Sequence, residues 1–353
     1  MSSFLLIYSV LLIGACCLAF YMGKRSIFLM LFSLIIISFV AGILGGWGGL
    51  HSIAIAAGLL TMVAGISFAF REILVATMPV KLSKEIKTAP LTAAFGMFVI
   101  FIYAVAGIFA PWIAPHGETD VIASAFDPAN ENMLLGADQL GRDMFSRIIY
   151  GTRNSVGLAL LATSAAFFVG AVAGLYAAVR GGWVDQLLGR ISDVLMSIPS
   201  LIFALLMLAI FGPTIVVLII AVAIVYAPRV FRLVRSVAIN VVVMDYIEAA
   251  KLRGEKNGYL IRKEILPNST APMIAEFGLE FCFVFLLLAG LSFLGLGIQP
   301  PAADWGSMVR ENATLVSFGE ITPLFPAAAI ALLTVAVNFV VDWMLYRSSG
   351  LKE

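Results

Sequence analysis

Long apolar runs recur along the whole chain, and this pattern limits the possible folds more than any other feature. An apolar run of about 20 residues is long enough to cross the hydrocarbon core of a bilayer as an α-helix. Of the 353 residues, 61% are hydrophobic and 12% are charged. That charged fraction is about half of what an ordinary soluble domain carries. The sequence therefore predicts an all-α integral membrane protein.

The apolar runs and the breaks between them predict nine transmembrane helices. The predicted spans are residues 4–22, 27–46, 52–70, 90–113, 155–178, 196–212, 213–228, 270–296 and 323–346. The sixth and seventh spans are separated by the sequence FGPT, whose Gly-Pro pair predicts a tight turn at Phe211–Thr214. We interpret the first run as a span rather than a signal peptide, because basic residues follow it and do not precede it.

Lysine and arginine residues lie mostly on one side of the predicted helices. If residues 71–89 are cytoplasmic, Arg142, Arg147, Arg153 and Arg310 are the only ones of the 22 basic residues that lie outside. Basic residues are enriched in cytoplasmic loops. This distribution predicts an external N-terminus and a cytoplasmic C-terminus.

The stretch from about Ile239 to Pro267 is too polar to span a membrane, although predicted spans flank it. Its first part, NVVVMDYIEAAKLRG, combines helix-forming residues with an apolar stripe, and Gly254 is typical of a helix C-terminus. A second short helix is predicted to end at ILPN, where Pro267 marks the entry to the next span. The pattern predicts a helix-turn-helix on the cytoplasmic face. Composition alone allows it either to rest on lipid headgroups or to bind a cytoplasmic partner.

The spacing of residues in this stretch resembles the EAA loop of importer-type ABC permeases. The matching residues are Glu248, Ala249, Ala250, Gly254, Leu266 and Pro267. In that family the loop inserts into a groove on the nucleotide-binding subunit and transmits its closure to the membrane helices. The resemblance therefore implies that these six residues couple the chain to an ATPase.

Three further blocks resemble the peptide/nickel/opine group of these permeases. They are LLGADQLGRDMFSRIIYGTRNSV (134–156), GGWVDQLLGRISDVLMSIPSL (181–201) and LSFLGLGIQPPAADWGSM (291–308). The blocks occur in the family's order, and the chain is most similar to the second permease of dipeptide and oligopeptide systems. The resemblance implies a six-helix type I ABC importer permease core at residues 89–353, preceded by an N-terminal extension of three transmembrane helices at residues 1–88.

Two features depart from the family pattern. Many relatives carry a glutamate three residues before LSF, where this chain has Leu288. The three predicted spans within residues 1–88 are also additional to the six of the family, and the resemblance does not explain them. We expect them to act as a scaffold or in subunit contact.

The resemblance implies a permease subunit of an ATP-driven importer that moves di- or oligopeptides, or a related small solute, by alternating access. It places the chain in the bacterial cytoplasmic (inner) membrane, surrounded by lipid. The implied partners are a second homologous permease, two ABC ATPase subunits that bind ATP and Mg, and an external substrate-binding protein. This chain has no GxxxxGK[ST] phosphate-binding motif, so we expect it to be no enzyme itself.

The remaining composition gives no sign of other chemistry. No catalytic motif, paired-cysteine site or His/Cys ligand pattern occurs, so no catalytic residue, cofactor or metal is predicted on this chain. The net charge of +1 gives no indication of nucleic-acid binding.

Carboxylates inside the predicted spans are the candidates for a substrate pathway. Ionisable residues in a membrane are costly and usually face a cavity or a partner. Glu276 and Glu280 lie one helical turn apart, where a carboxylate would suit the amino group of a peptide. Each could instead make a structural bond to a neighbouring helix, as could Asp193 and Asp342. The alternative function is a stand-alone proton-coupled secondary transporter that uses Glu276, Glu280 and Asp342.

The segment 115–153 has no pattern of a membrane span and is predicted to fold on the external surface. Two interpretations remain open at this point. The segment either contributes to the face on which a substrate-binding protein docks, or it is a structural plug that seals the external side of the helix bundle.

Overall fold

A computed structural model describes residues 60–348, together with Met30 and Gly58, and describes Lys81 and Ser348 by their backbone only. Within this part of the chain the regular structure is helical, and β-structure is limited to isolated bridges in the segment 121–143. The all-α prediction is thus confirmed for the described residues. The predicted spans at 4–22 and 27–46 lie outside them, apart from Met30.

The chain divides into two compact units between Phe95 and Gly96. The division into residues 1–88 and 89–353 was made from family resemblance, and it stays a prediction. In the first unit, α1 (Leu60–Thr77) precedes the amphipathic α2 (Val80–Lys87). Predicted span 52–70 therefore continues as a helix to Thr77.

The six predicted core spans all occur as helices, and the third of them belongs to a bent pair. The elements are α3 (Leu91–Ile108), α4 (Ala110–Ile113), α5 (Met144–Arg180), α6 (Gly182–Met196), α7 (Ser200–Phe211), α8 (Ile215–Val242), α9 (Asp245–Leu252), α10 (Asn257–Phe293), α11 (Trp305–Asn312) and α12 (Leu324–Ser348). Helices α6 and α7 meet at an angle of 84°. The predicted FGPT turn is confirmed, because α7 ends at Phe211 and α8 begins at Ile215.

Helix α8 is much longer than the predicted span 213–228. It continues through Pro228 to Val242, so the predicted end of this span at residue 228 was wrong. The predicted span was ended where the charges begin, but each of these arginines pairs with a carboxylate on another helix. The pairs are Arg229–Glu280, Arg232–Asp193 and Arg235–Asp185.

Helices α5 and α8 make the most extensive helix contact among the described residues. Gly170 and Gly174 of α5 face the backbone of α8. A Cβ atom at Gly170 would lie 2.5 Å from the carbonyl oxygen of Ala227, and one at Gly174 would lie 2.9 Å from that of Phe231. Small residues spaced by four positions allow membrane helices to approach this closely. The pair forms the scaffold on which the sites below are built.

Candidate functional site

The EAA sequence lies on helix α9, which begins at Asp245 and ends at Leu252. Asp245 and Glu248 lie in its first turn and Lys251 in its last, so the charges match the helix dipole. Gly254 follows with a φ of +83°, a left-handed conformation that glycine adopts without strain. The predicted helix and its glycine stop are confirmed.

One face of α9 is fixed to the membrane helices. Ile247 and Ala250 are both fully buried, and they pack in one apolar cluster with Val230 and Val234 of α8 and Leu260 of α10. Helix α9 therefore rests directly on α8 and α10.

The opposite face of α9 is open. Glu248 and Ala249 are exposed, and the apolar side chains of Leu252 and Tyr246 are 84% and 42% exposed. Apolar side chains grouped at a surface often mark a protein contact. The small side chain of Ala249 lets a partner approach the helix backbone at the centre of this face.

The second half of the predicted helix-turn-helix differs from the expectation. A helix resumes at Asn257 and continues without a break through Leu266 and Pro267 to Phe293, so the predicted stop at ILPN was wrong. Residues Leu260–Ile265 form a π-helical turn just before the proline. Pro267 has no N–H to donate and its ring crowds the preceding turn, so a wider turn allows the helix to continue.

Glu280 lies inside the bundle, and its Oε2 is buried without a hydrogen-bond partner among the described residues. It is 2% exposed, and its Oε1 lies 3.3 Å from Nε of Arg229 on α8. Glu276, one turn earlier on α10, is half-buried. Arg229 was not among the predicted pathway residues, because it follows directly after the predicted end of a shorter span.

The other two carboxylates are less enclosed. Asp193 forms an ion pair with Arg232, and both side chains are about half exposed. Asp342 lies exposed on α12. No hydrogen bond or ion pair joins Asp342 to either glutamate in the part of the chain that the structure describes.

A buried network of charges joins the segment before α5 to α11. Oδ2 of Asp138 accepts hydrogen bonds from Nε of Arg142 at 2.7 Å and from Nη1 of Arg147 at 2.6 Å. Nη2 of Arg142 also donates to Glu311 at 3.2 Å. Burial raises the pKa of Glu311, although the charge of Arg142 opposes this shift. The network therefore fixes the segment before α5 to α11, and both interpretations of the segment stay predictions.

Trp305 and Asp304 extend this contact. The indole N–H of Trp305 donates to the carbonyl oxygen of Ile148 at 3.0 Å, and Oγ of Ser155 donates to Asp304 at 2.7 Å. The segment that contains GRDMFSR is thus fixed to the residues just after α10. Residues 134–156 and 291–308 each resemble a block of the family. The contact between them could not be inferred from the sequence of either block.

A cavity of about 730 Å³ lies between α3, α5, α10 and α12. Its walls include Tyr103, Leu160, Phe277 and Val341, and they are predominantly apolar. Neither Arg229 nor Glu280 lines it. The cavity therefore lies apart from the intramembrane ion pair.

The chain is similar to known proteins over most of its length. A family model described as "Binding-protein-dependent transport system inner membrane component" matches residues 170–349. The dipeptide transport system permease protein of Alkalihalophilus pseudofirmus is 38% identical over 261 residues, which are 73% of this chain and 85% of that relative.

Two more curated relatives are similar over comparable lengths. The probable D,D-dipeptide transport system permease protein of Escherichia coli is 35% identical, and the match covers 74% of this chain and 88% of the relative. The glutathione transport system permease protein of Pectobacterium atrosepticum is 32% identical, with 77% of this chain and 94% of the relative covered.

Proposed function

Because the chain belongs to the family of binding-protein-dependent transport system inner membrane components, we propose that it is the permease subunit of an ATP-driven importer of di- or oligopeptides. The peptide substrate is supported by the names of the relatives, which include dipeptide permeases from two bacteria. The glutathione permease among them carries a small peptide as well. A bacterial cytoplasmic (inner) membrane location, with the N-terminus outside and the C-terminus inside, belongs to the same proposal.

The importer comprises this chain, a second homologous permease, two ABC ATPase subunits and an external substrate-binding protein. ATP and Mg bind to the ATPases, and this chain contributes the membrane path and the contact to the motor. Residues 1–88 are proposed as an extension that contacts other subunits, and residues 89–353 as the permease core.

Helix α9 is the proposed contact to the ATPase. The observation that carries this proposal is its two-sided character: Ile247 and Ala250 are fully buried against the spans, while Glu248 and Ala249 face outward. A helix built in this way can bind a partner and move the spans beneath it as one body. Gly254 follows the end of the helix, and Leu266 and Pro267 lie within α10, directly after its π-helical turn.

In the proposed cycle, ATP binding closes the ATPase dimer and moves α9. The movement turns α8 and α10 and opens the bundle to the outside, where the binding protein releases the peptide. Hydrolysis returns the bundle to its inward-open state. This is alternating access, in which each state exposes the pathway on one side.

The alternative of a stand-alone secondary transporter is less well supported. It requires Glu276, Glu280 and Asp342 to exchange protons along one path. The Glu280 carboxylate is paired with Arg229, and Asp342 lies exposed on a different helix. Family membership also favours the importer.

Affinity purification from the native membrane tests the proposal. The chain carries a C-terminal tag, and the membrane is solubilised in mild detergent. We expect a second permease and ATPase subunits to co-purify, and the reconstituted complex to take up a dipeptide only with ATP and binding protein. Peptide uptake by the chain alone, without ATP, would support the secondary transporter instead.

A further inference from the structure

A charged pair joins the middle of α8 to the interior of α10. Arg229 lies near the middle of α8 (Ile215–Val242), and Glu280 lies well inside α10. Glu280 is 2% exposed, so its carboxylate lies in the interior of the bundle. Charged residues in such positions are costly and usually serve a function.

The guanidinium of Arg229 is fixed by contacts on several sides. Its Nε lies 3.3 Å from Oε1 of Glu280. Its Cζ lies 4.6 Å from the ring centre of Phe283 and 5.5 Å from that of Tyr226. The Tyr226 hydroxyl donates to the carbonyl oxygen of Phe283 at 3.3 Å, which ties α8 to α10 at this level. These contacts place the guanidinium beside Glu280 and between the rings of Tyr226 and Phe283.

The end of the Arg229 side chain remains available. The side chain is 40% exposed, and neither Nη1 nor Nη2 has a hydrogen-bond acceptor among the described residues. Phe283 beside it is 47% exposed, so both side chains face the same open surface. Two parallel N–H groups on a planar guanidinium match the two oxygens of a carboxylate.

We propose that Arg229 binds the carboxylate of the transported solute, which for a peptide is its C-terminal carboxylate. This inference rests on the proposed function and assigns a binding group to its pathway. Glu280 is a positioning residue, because its buried carboxylate holds Nε and leaves both Nη groups free for the ligand.

Glu276 limits the kind of anion that this site accepts. It lies one turn from Glu280, and its carboxylate interacts electrostatically with Arg229. With Glu276 and Glu280 nearby, the surroundings of Arg229 are not positive overall. The site therefore suits a solute that carries both a carboxylate and an ammonium group better than a simple anion.

The test uses the complete complex in proteoliposomes with its binding protein. Uptake of a dipeptide is compared with uptake of the same dipeptide as its C-terminal amide, chosen so that the isolated binding protein binds both equally. We expect the wild-type complex to prefer the acid by at least about tenfold. Arg229→Gln should reduce this preference to about one and raise KM for the acid form.

Three variants make the result specific. Arg232→Gln alters a neighbouring arginine of α8 whose partner is Asp193, and it should keep the wild-type preference. Glu280→Gln should lower the preference partly, because Arg229 remains but is less well oriented. Arg229→Lys keeps the positive charge but lacks two parallel N–H donors, so its preference for the acid over the amide should be several-fold lower than that of the wild type. This variant tests the inference even if Arg229→Gln does not assemble.

An unchanged preference for the acid in Arg229→Gln and Arg229→Lys would overturn the inference, since Arg229 would then serve only the packing of the helices or a contact with another subunit. A wild-type complex that takes up neither peptide would overturn the proposed peptide function and this inference with it.

Discussion

Nη1 of Arg147 donates a hydrogen bond of 2.6 Å to Oδ2 of Asp138, and both side chains are 1% exposed. Arg142 donates to the same oxygen atom. Two buried guanidinium groups thus share the carboxylate of Asp138, and Glu311 is the second carboxylate that contacts both of them.

Replacing Asp138 should strongly destabilise this segment. Asp138→Asn removes the negative charge and leaves two buried cations without full compensation, a change that costs about 3–5 kcal/mol. Thermal unfolding of the purified complex in detergent measures the loss. Glu131→Gln, at an exposed position of the same segment, is the matched control and should leave the midpoint unchanged. Equal midpoints for both variants would show that the network does not stabilise the fold.

The pKa of Glu311 gives a dependence of stability on pH. Burial raises this pKa in the folded state, whereas an unfolded glutamate titrates at about 4.3. The folded state therefore holds the proton more tightly, and the stability that this group contributes is fully present below about pH 4 and is lost as pH rises through the raised pKa.

Glu311→Gln removes this titration. We expect the unfolding midpoint of the wild type to fall relative to that of Glu311→Gln as pH increases. Unfolding curves over a series of pH values measure it. A difference that stays constant with pH, or that shifts in favour of the wild type, would contradict the assignment.

The contact between α5 and α8 depends on Gly170. A Cβ at this position would approach the carbonyl oxygen of Ala227 to 2.5 Å, a distance that forces the helices apart. Gly170→Val should therefore reduce the yield of assembled complex. Gly157→Val on the same helix is the control, because a Cβ there meets nothing within 4 Å. Comparable losses in both variants would point to helix propensity rather than to helix contact.

Helix α9 and the spans within the described residues could be predicted from the sequence, because both depend on local patterns. Apolar runs locate the spans, and the spacing from Glu248 to Pro267 identifies the resemblance to the coupling loop. The length of α8 was missed because a search for apolar runs stops at Arg229. That search cannot show that Glu280 of a distant helix neutralises this charge.

The network around Asp138 was missed for a related reason. The network joins residues that are far apart in the sequence. Arg142 and Glu311, for example, are separated by 169 residues. Their pairing depends on how the helices are rotated. Rotation cannot be read from helices that are apolar on every side.

The left-handed conformation of Gly254 predicts that a residue able to adopt it is required for coupling peptide uptake to ATP hydrolysis. With φ at +83°, a β-branched side chain is strained there, whereas asparagine tolerates the left-handed region. Gly254→Val should reduce peptide uptake and its coupling to ATP hydrolysis, and Gly254→Asn should retain most of both. Uptake assays on the two reconstituted variants compare them directly. Full activity of Gly254→Val would show that the turn after α9 is not critical.

The central claim is that α9 connects the membrane helices to the ATPase. Ala249 tests it best, because its side chain is exposed and a change there leaves the buried contacts of Ile247 and Ala250 intact. Ala249→Trp places a bulky group on the proposed contact face, and Ala249→Ser is the control that keeps the small size.

The most direct measurement is the number of ATP molecules hydrolysed per peptide imported by reconstituted complexes of the wild type and these two variants. We predict that Ala249→Trp either raises this ratio about tenfold or more, or loses the ATPase from the purified complex, while Ala249→Ser matches the wild type. A normal ratio in an Ala249→Trp complex that retains its ATPase would contradict the claim that this face of α9 is the coupling surface.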